Sequence, residues 1–86
     1  MNIYFIAYQT DNMSDTSSAV LEIGEVFSLL EGACLLKTTL TTVEVRDYLR
    51  ERGNAKKVFV TNVAHGAAWS NVNTNSQTIK DLYSEL

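Results

Sequence analysis

Few residues in this 86-residue chain have the chemistry needed for catalysis or metal binding. His65 is the only histidine and Cys34 the only cysteine, so a mechanism based on imidazole or thiolate depends on one of them. Together they cannot complete the four-ligand shell of a structural zinc ion. Cys34 lies in an apolar run, where a thiol usually packs as a small hydrophobe; nucleophilic use is the alternative. His65 precedes Gly66 in a segment that follows a predicted strand, which suits an ordinary loop residue or a catalytic or RNA-contacting one.

Positive charge is concentrated in one part of the sequence. Five of the seven Lys and Arg residues fall within twelve positions: Arg46, Arg50, Arg52, Lys56 and Lys57. Such a cluster can form a basic edge that binds RNA. The acidic residues among them favour another interpretation, a solvated helix face with i,i+3 and i,i+4 ion pairs such as that of Asp47 with Arg50. The net charge of −3 argues against indiscriminate binding of nucleic acid and favours a basic protein partner.

Trp69 is conspicuous because it stands in a segment of small and polar residues. A large amphipathic ring there either plugs the edge of the core or reaches outward, as an anchor for a protein partner or a stacking platform for an unpaired base. With His65 and the five cations, Trp69 completes our set of candidate residues for binding RNA or a partner. Asn71, Asn73 and Asn75 have amides that can read base edges, but such asparagines more often form turns.

Length and composition predict a single domain that spans residues 1–86. A chain this short buries only about 60% of the surface that its unfolded form exposes. One cysteine cannot form an intramolecular disulfide, so dimerisation is the remaining way to supplement a small core. No apolar run approaches the roughly 20 residues of a membrane span, and the N-terminus lacks the pattern of a signal peptide. We therefore expect a cytoplasmic protein without membrane contact.

Hydrophobic periodicity predicts the elements that position these residues. A continuous apolar run over residues 3–8 is typical of a central strand, and apolar residues at helical spacing predict a helix that begins near Ser14. After Gly24, two interpretations compete. The helix continues to residue 30, or it stops and a strand over 26–30 forms a hairpin with a strand over 33–39. We favour the hairpin.

The second half of the chain has clearer local signals. Thr41 and Glu44 match a capping box, which predicts a helix over 42–52 with Gly53 in a left-handed C-cap. The residues from 57 to 63 are mostly branched or aromatic and predict another strand. We expect that strand to lie beside the first one at the centre of the sheet.

A terminal amphipathic helix, capped by Asn75 or Ser76, completes the predicted elements. Its apolar stripe consists of Ile79, Leu82, Tyr83 and Leu86 and must pack on its own sheet or on a partner. The resulting order is that of an α+β, ferredoxin-like βαββαβ sandwich with a C-terminal helix, in which helices cover one face of an antiparallel sheet. We expect a second copy to cover the other face, which would make the protein a homodimer.

Several segments resemble, in order and spacing, those of short bacterial and phage proteins called SinR-like. These segments are Ile3 to Tyr8, Leu35 to Thr38, Thr41 to Leu49, Lys57 to Val63, Gly24 and Trp69. The similarity covers nearly the whole chain and extends, more distantly, to the CRISPR-associated adaptation nuclease and to VapD-type toxin ribonucleases. The resemblance implies a ferredoxin-like subunit that dimerises by sheet contact, in a superfamily whose active members cleave RNA or DNA.

The sequence departs from the nuclease branch at the end of the first strand. That branch has Tyr-Asp, whose aspartate helps to hold a divalent metal, whereas Tyr8 is followed here by Gln9. A neutral amide lacks the negative charge that Mg²⁺ sites use. The resemblance thus implies a non-catalytic, cofactor-free homodimer that binds RNA or an RNA-handling protein, such as a ribonuclease toxin, in toxin–antitoxin systems or phage defence. The alternative is a metal-dependent endoribonuclease in which Gln9 or Asp11 holds Mg²⁺.

Overall fold

Seven strands and helices make up the part of the chain that the structure describes. The structure is a computed structural model that describes residues 1–63 and 67–85. Its elements are β1 (Asn2–Thr10), α1 (Met13–Ile23), β2 (Glu25–Leu30), β3 (Ala33–Thr38), α2 (Thr42–Glu51), β4 (Ala55–Asn62) and α3 (Ser76–Ser84). None of the three described helices has the length and apolar character needed to cross a bilayer.

The four described strands form one antiparallel sheet in the order β2-β3-β1-β4. Each βαβ unit encloses a strand of the other unit, which is the split βαβ arrangement. The predicted α+β, ferredoxin-like fold with a C-terminal helix is therefore confirmed. β4 pairs with β1, as expected. The expectation that it lies at the centre of the sheet is wrong, because no described strand pairs with its other side.

The segment after Gly24 is a strand, so the hairpin interpretation is confirmed and the continued helix is wrong. In the hairpin turn, Gly32 has a φ of 81°, a left-handed conformation that glycine adopts without strain. Gly24 is needed for a different reason. A Cβ there would collide with the carbonyl oxygen of Lys37 and lie 2.9 Å from Leu36 Cδ1. The absence of a side chain lets the chain leave α1 and enter β2 in close contact with β3.

Polar residues at the helix ends differ slightly from those expected. Asn12 is the N-cap of α1 and accepts a backbone hydrogen bond of 3.1 Å from the first turn, so the helix begins before Ser14. Thr41 and Glu44 form the predicted capping box, with hydrogen bonds of 3.2 and 2.9 Å. After α2, the left-handed residue is Asn54, with a φ of 56°, rather than Gly53. Asparagine tolerates this conformation better than most residues do.

Helices α1 and α2 pack on one face of the sheet and bury the first apolar layer. This layer consists of Tyr4, Ile6, Ala19, Val20, Cys34, Leu36, Val45, Leu49 and Ala55. Thr16 of α1 is also completely buried, and its hydroxyl donates a 2.6 Å hydrogen bond to the carbonyl oxygen of Gly53. That bond links α1 to the end of α2 and satisfies a hydroxyl that would otherwise be costly to bury.

Helix α3 packs on the opposite face of the sheet and forms a second apolar layer. Leu82, only 4% exposed, packs with Ile3 of β1 and Leu35 of β3. At the end of α3, the Glu85 carboxylate binds the Lys37 ammonium at 2.8 Å, and this hydrogen bond raises the pKa of Lys37. The stripe of α3 therefore packs on its own sheet; its last residue, 86, lies outside the described residues. The expectation that a second copy covers this whole face is wrong over β2 and β3.

Truncation of Leu82 tests this packing. We expect Leu82→Ala to lower the free energy of unfolding by about 2–4 kcal/mol, because it leaves a cavity in the second layer. Lys80→Ala, an exposed position on the same helix, is the control and should change stability by less than about 0.5 kcal/mol. Urea denaturation followed by circular dichroism measures both values. Equal stability of the two variants would contradict the packing of α3 on the sheet.

Candidate interaction surface

The arginines of the predicted basic edge are partly offset by acidic neighbours. Arg46 and Arg50 both bind Asp47 Oδ1, at Nη2–Oδ1 distances of 2.9 and 3.3 Å. One carboxylate thus faces two guanidinium groups on the outer side of α2. These pairs are exposed to solvent, so they contribute little to stability, but they reduce the charge available to a ligand. Arg52 is exposed at the C-cap of α2.

The two lysines at the start of β4 do not act together. The Lys56 ammonium binds Asp11 Oδ2 at 2.6 Å. Lys57 is the register partner of Gln9, on the face of the sheet that points away from α1 and α2. Among the described residues, it makes no ion pair. The five cations therefore do not converge on one surface, and His65 lies outside the described residues.

The two candidate metal ligands, Gln9 and Asp11, each have a lysine as neighbour. In residues 1–63 and 67–85, no three His, Cys, Asp or Glu side chains are grouped so that they could share an ion. Gln9 is exposed and pairs across the strands with Lys57, and Asp11 is bound by Lys56. An ammonium beside each ligand repels a divalent cation. This electrostatic environment disfavours the metal-dependent alternative.

Trp69 packs against α3. Its ring stacks on that of Tyr83 with the centroids 6.5 Å apart, and its Nε1 donates a 3.1 Å hydrogen bond to Ser76 Oγ. The half-buried indole borders a cavity of about 270 Å³ together with Phe5 and Leu35. It therefore covers the edge of the second apolar layer. One face of the indole is thus already in contact with Tyr83.

The asparagine-rich loop before α3 binds the outer edge of β2. The Asn73 N–H donates to the carbonyl oxygen of Leu29 at 2.8 Å, and the Thr74 hydroxyl donates to that of Ser28 at 2.5 Å. Asn75 is the N-cap of α3, in agreement with one of the two predicted caps. These amides and hydroxyls thus support the turn and cover part of an edge strand.

The free edge of β4 is a surface that sequence reasoning missed. The β4-edge surface, as we call it, consists of Lys57, Val58, Phe59 and Val60 of β4 with Val43 and Arg46 of α2. Phe59 is 62% exposed and Val43 is 52% exposed. A groove of about 230 Å³ lies between α2 and β4, and a second of about 340 Å³ lies on the other side of β4. Large apolar side chains that are exposed together are typical of interaction sites.

The order of the elements contains a signal for this surface. In a split βαβ sheet, the strand that follows the second helix lies at an edge, as β4 does. Side chains alternate between the faces of a strand, so Phe59 must face opposite to Val58 and Val60, which pack on the first apolar layer. A large aromatic ring on the outer face of an edge strand is therefore predictable from these residues.

Comparison with known protein families, with curated proteins and with solved structures finds no match. The resemblance to SinR-like proteins therefore stays a prediction. Two of the residues that carry it have structural partners within the chain. Lys37 binds Glu85, and Thr38 Oγ1 donates a 2.7 Å hydrogen bond to the carbonyl oxygen of Ile23. These two side chains thus have roles in holding the fold together.

Cys34 is buried in the first apolar layer, with 5% of its surface exposed. Burial raises the pKa of its thiol to about 11. The thiol is thus protonated near neutral pH, whereas the thiolate is the nucleophilic form. The environment of Cys34 supports the role of a small packed hydrophobe.

Alkylation of Cys34 measures this burial. We expect iodoacetamide at about pH 8 to modify the native protein at least about tenfold more slowly than the urea-unfolded chain. The raised pKa lowers the fraction of thiolate, and the packing limits access of the reagent to the sulfur. Mass spectrometry of timed samples gives the two rates. Free cysteine in the same urea solution controls for reagent reactivity, and equal rates in native and unfolded protein would show that the thiol is accessible.

Proposed function

We propose that this chain is a non-catalytic binding module whose partner is a protein. The observation that carries the proposal is the β4-edge surface, where Val43 and Phe59 are exposed beside a strand edge with no described partner. Apolar side chains and unpaired strand backbone both gain free energy when another chain covers them. Coverage by a protein surface satisfies both requirements at once.

Three candidate residues that the structure describes support a binding function rather than bond cleavage. Cys34 is buried and protonated, Asp11 is bound by Lys56, and Gln9 is neutral and lies beside Lys57. General acid–base or nucleophilic catalysis needs a reactive group within about 3 Å of the reacting atom, with its pKa matched to the task. Each of these three residues is engaged in another way.

The distribution of charge favours a protein over RNA. Affinity for RNA rises with the number of phosphates that lysine and arginine neutralise. Asp47 offsets Arg46 and Arg50, Asp11 binds Lys56, and the chain as a whole carries a net charge of −3. The resemblance to SinR-like proteins suggests a partner that handles RNA, such as a ribonuclease toxin, in bacterial or phage defence.

A homodimer is the alternative occupant of the open part of this face, with less surface available to it than the sequence suggests. Because α3 covers β2 and β3, a second copy would contact the sheet over β1 and β4, around Ala7 and Phe59. The groove at this position is about 340 Å³ and is also lined by Leu30. A dimer would therefore bury the exposed side chains of Phe59 and Leu30.

Incubation with structured RNA and Mg²⁺ or Mn²⁺ tests the absence of catalysis. We expect no cleavage beyond that of RNA without protein, because Gln9 and Asp11 lie beside lysine ammonium groups. Denaturing gels give the readout, and Asp11→Ala is the matched variant. Robust cleavage by the natural sequence that is lost in Asp11→Ala would support the metal-dependent endoribonuclease instead.

Direct RNA binding is the second candidate, and its salt dependence is measurable by fluorescence anisotropy. At physiological salt we expect no binding tighter than the roughly 10⁻⁴–10⁻⁶ M of non-specific contacts, because few cations are left unpaired. The variant with Arg46, Arg50 and Lys57 all changed to Glu tests the basic edge, and Lys80→Glu on α3 is the control. Tight binding that falls steeply with salt and disappears only in the triple variant would make RNA the partner.

A further inference from the structure

The backbone of β4 presents hydrogen-bonding groups along its free edge. The Val63 N–H donates to the carbonyl oxygen of Ile3 at 3.1 Å, so the backbone of Val63 points toward β1. Backbone direction alternates along a strand. The N–H and C=O groups of Phe59 therefore point toward β1, whereas those of Val58 and Val60 point away from the sheet. Within residues 1–63 and 67–85, no group is bonded to these outward atoms.

The other edge of the sheet differs. Asn73 and Thr74 donate hydrogen bonds to β2, at the carbonyl oxygens of Leu29 and Ser28. Lysines often protect an edge strand from pairing, but those of β4 lie at its beginning. They leave the stretch from Val58 to Asn62 without such protection. In the described chain, β4 is thus the edge that is open to pairing.

Grooves flank β4 on both faces of the sheet. A strand that joined β4 would place its side chains alternately on the two faces. On the helix side, they would enter the groove of about 230 Å³ between Val43 and Val60. On the opposite side, they would lie over the groove of about 340 Å³ beside Phe59 and Lys57. This arrangement of open backbone and alternating grooves is that of strand addition.

We propose that the β4 edge binds an extended segment of a partner protein as a fifth strand of the sheet. The segment places apolar side chains against Val43 and Val60 on one face, and an apolar and an acidic side chain against Phe59 and Lys57 on the other. The backbone of Val58 and Val60 supplies hydrogen bonds, and the grooves supply specificity. The inference rests on the proposed function and names the element by which the partner binds.

Charge selects a different protein over a second copy as the source of this strand. The sequence of β4 is AKKVFVTN, which contains two lysines and no acidic residue. Antiparallel pairing of two β4 strands would bring no carboxylate of β4 to Lys57, which has no ion pair among the described residues. An acidic side chain in the added strand complements this ammonium and excludes wrong registers and partners.

Selection from a random linear peptide library displayed on phage tests the proposal with the intact chain. We expect enriched peptides to carry apolar residues at alternate positions, with an apolar and an acidic residue at the positions between them. Isothermal titration calorimetry then compares synthetic copies of these peptides across variants. We expect Lys57→Glu and Phe59→Thr each to weaken binding at least about tenfold. Leu21→Thr, at a side chain 65% exposed on α1, is the matched control and should leave affinity unchanged.

A backbone variant separates strand addition from side-chain contact. Val60→Pro removes an outward N–H but no bond to β1, as proline in an edge strand allows. Val60→Ala truncates the same side chain and keeps the N–H, and circular dichroism checks that both variants fold. We expect Val60→Pro to lose at least about tenfold more affinity than Val60→Ala. If Val60→Pro does not fold, the protection of the Val58 and Val60 amides against hydrogen exchange decides the question.

Amide hydrogen exchange measured by NMR gives an independent readout. In the free protein we expect fast exchange at Val58 and Val60 and slow exchange at Phe59, because only Phe59 is bonded to β1. A saturating concentration of peptide should slow amide exchange at Val58 and Val60 at least about tenfold. The proposal would be overturned if peptide affinity is unchanged in Lys57→Glu, Phe59→Thr and Val60→Pro. It would also be overturned if the library yields no enriched peptides. A dimer that protects Val58 without peptide would overturn it in favour of a second copy. RNA cleavage would refute the proposed function and leave this result intact.

Discussion

Strand β1 carries apolar side chains on both of its faces, and this constraint determines how the rest of the chain is used. Tyr4 and Ile6 point toward α1 and α2, whereas Ile3 and Phe5 point toward α3. A sheet whose inner strand is apolar on both sides must be covered on both sides. The described chain has one helix for the second face, and that helix, α3, covers β2 and β3 and leaves the side of β4 open.

The functions that the geometry supports depend on the place where helix α3 ceases to cover the sheet. At β4, apolar side chains lie beside exposed backbone, and the cations nearby are partly bound to Asp11 and Asp47. Recognition at such a place depends on main-chain hydrogen bonds and shape more than on net charge. Nucleic acid offers no strand backbone that could pair with such an edge.

The order of the elements was predictable because its signals are local. The capping box at Thr41 and the branched run in β4 depend on neighbouring residues alone. Errors arose where a sequence pattern indicates that a side chain is buried but does not identify the surface against which it packs. The stripe of α3 fits its own sheet or another copy equally well. The ion pair between Asp47 and Arg50 was predictable from their i,i+3 spacing, but proximity in sequence does not reveal that Asp47 also binds Arg46, or that Lys57 faces away from α2.

The loop that holds Asn73 and Thr74 against β2 makes the two ends of the sheet unequal. Growth of a fibre by repeated stacking requires a molecule that can be extended in both directions. Because the loop occupies part of the β2 edge, a subunit that gains one strand at β4 has a second edge that is only partly open to pairing. Polymerisation would first have to displace that loop. This short segment therefore protects a domain with exposed apolar side chains at its β4 edge from aggregation.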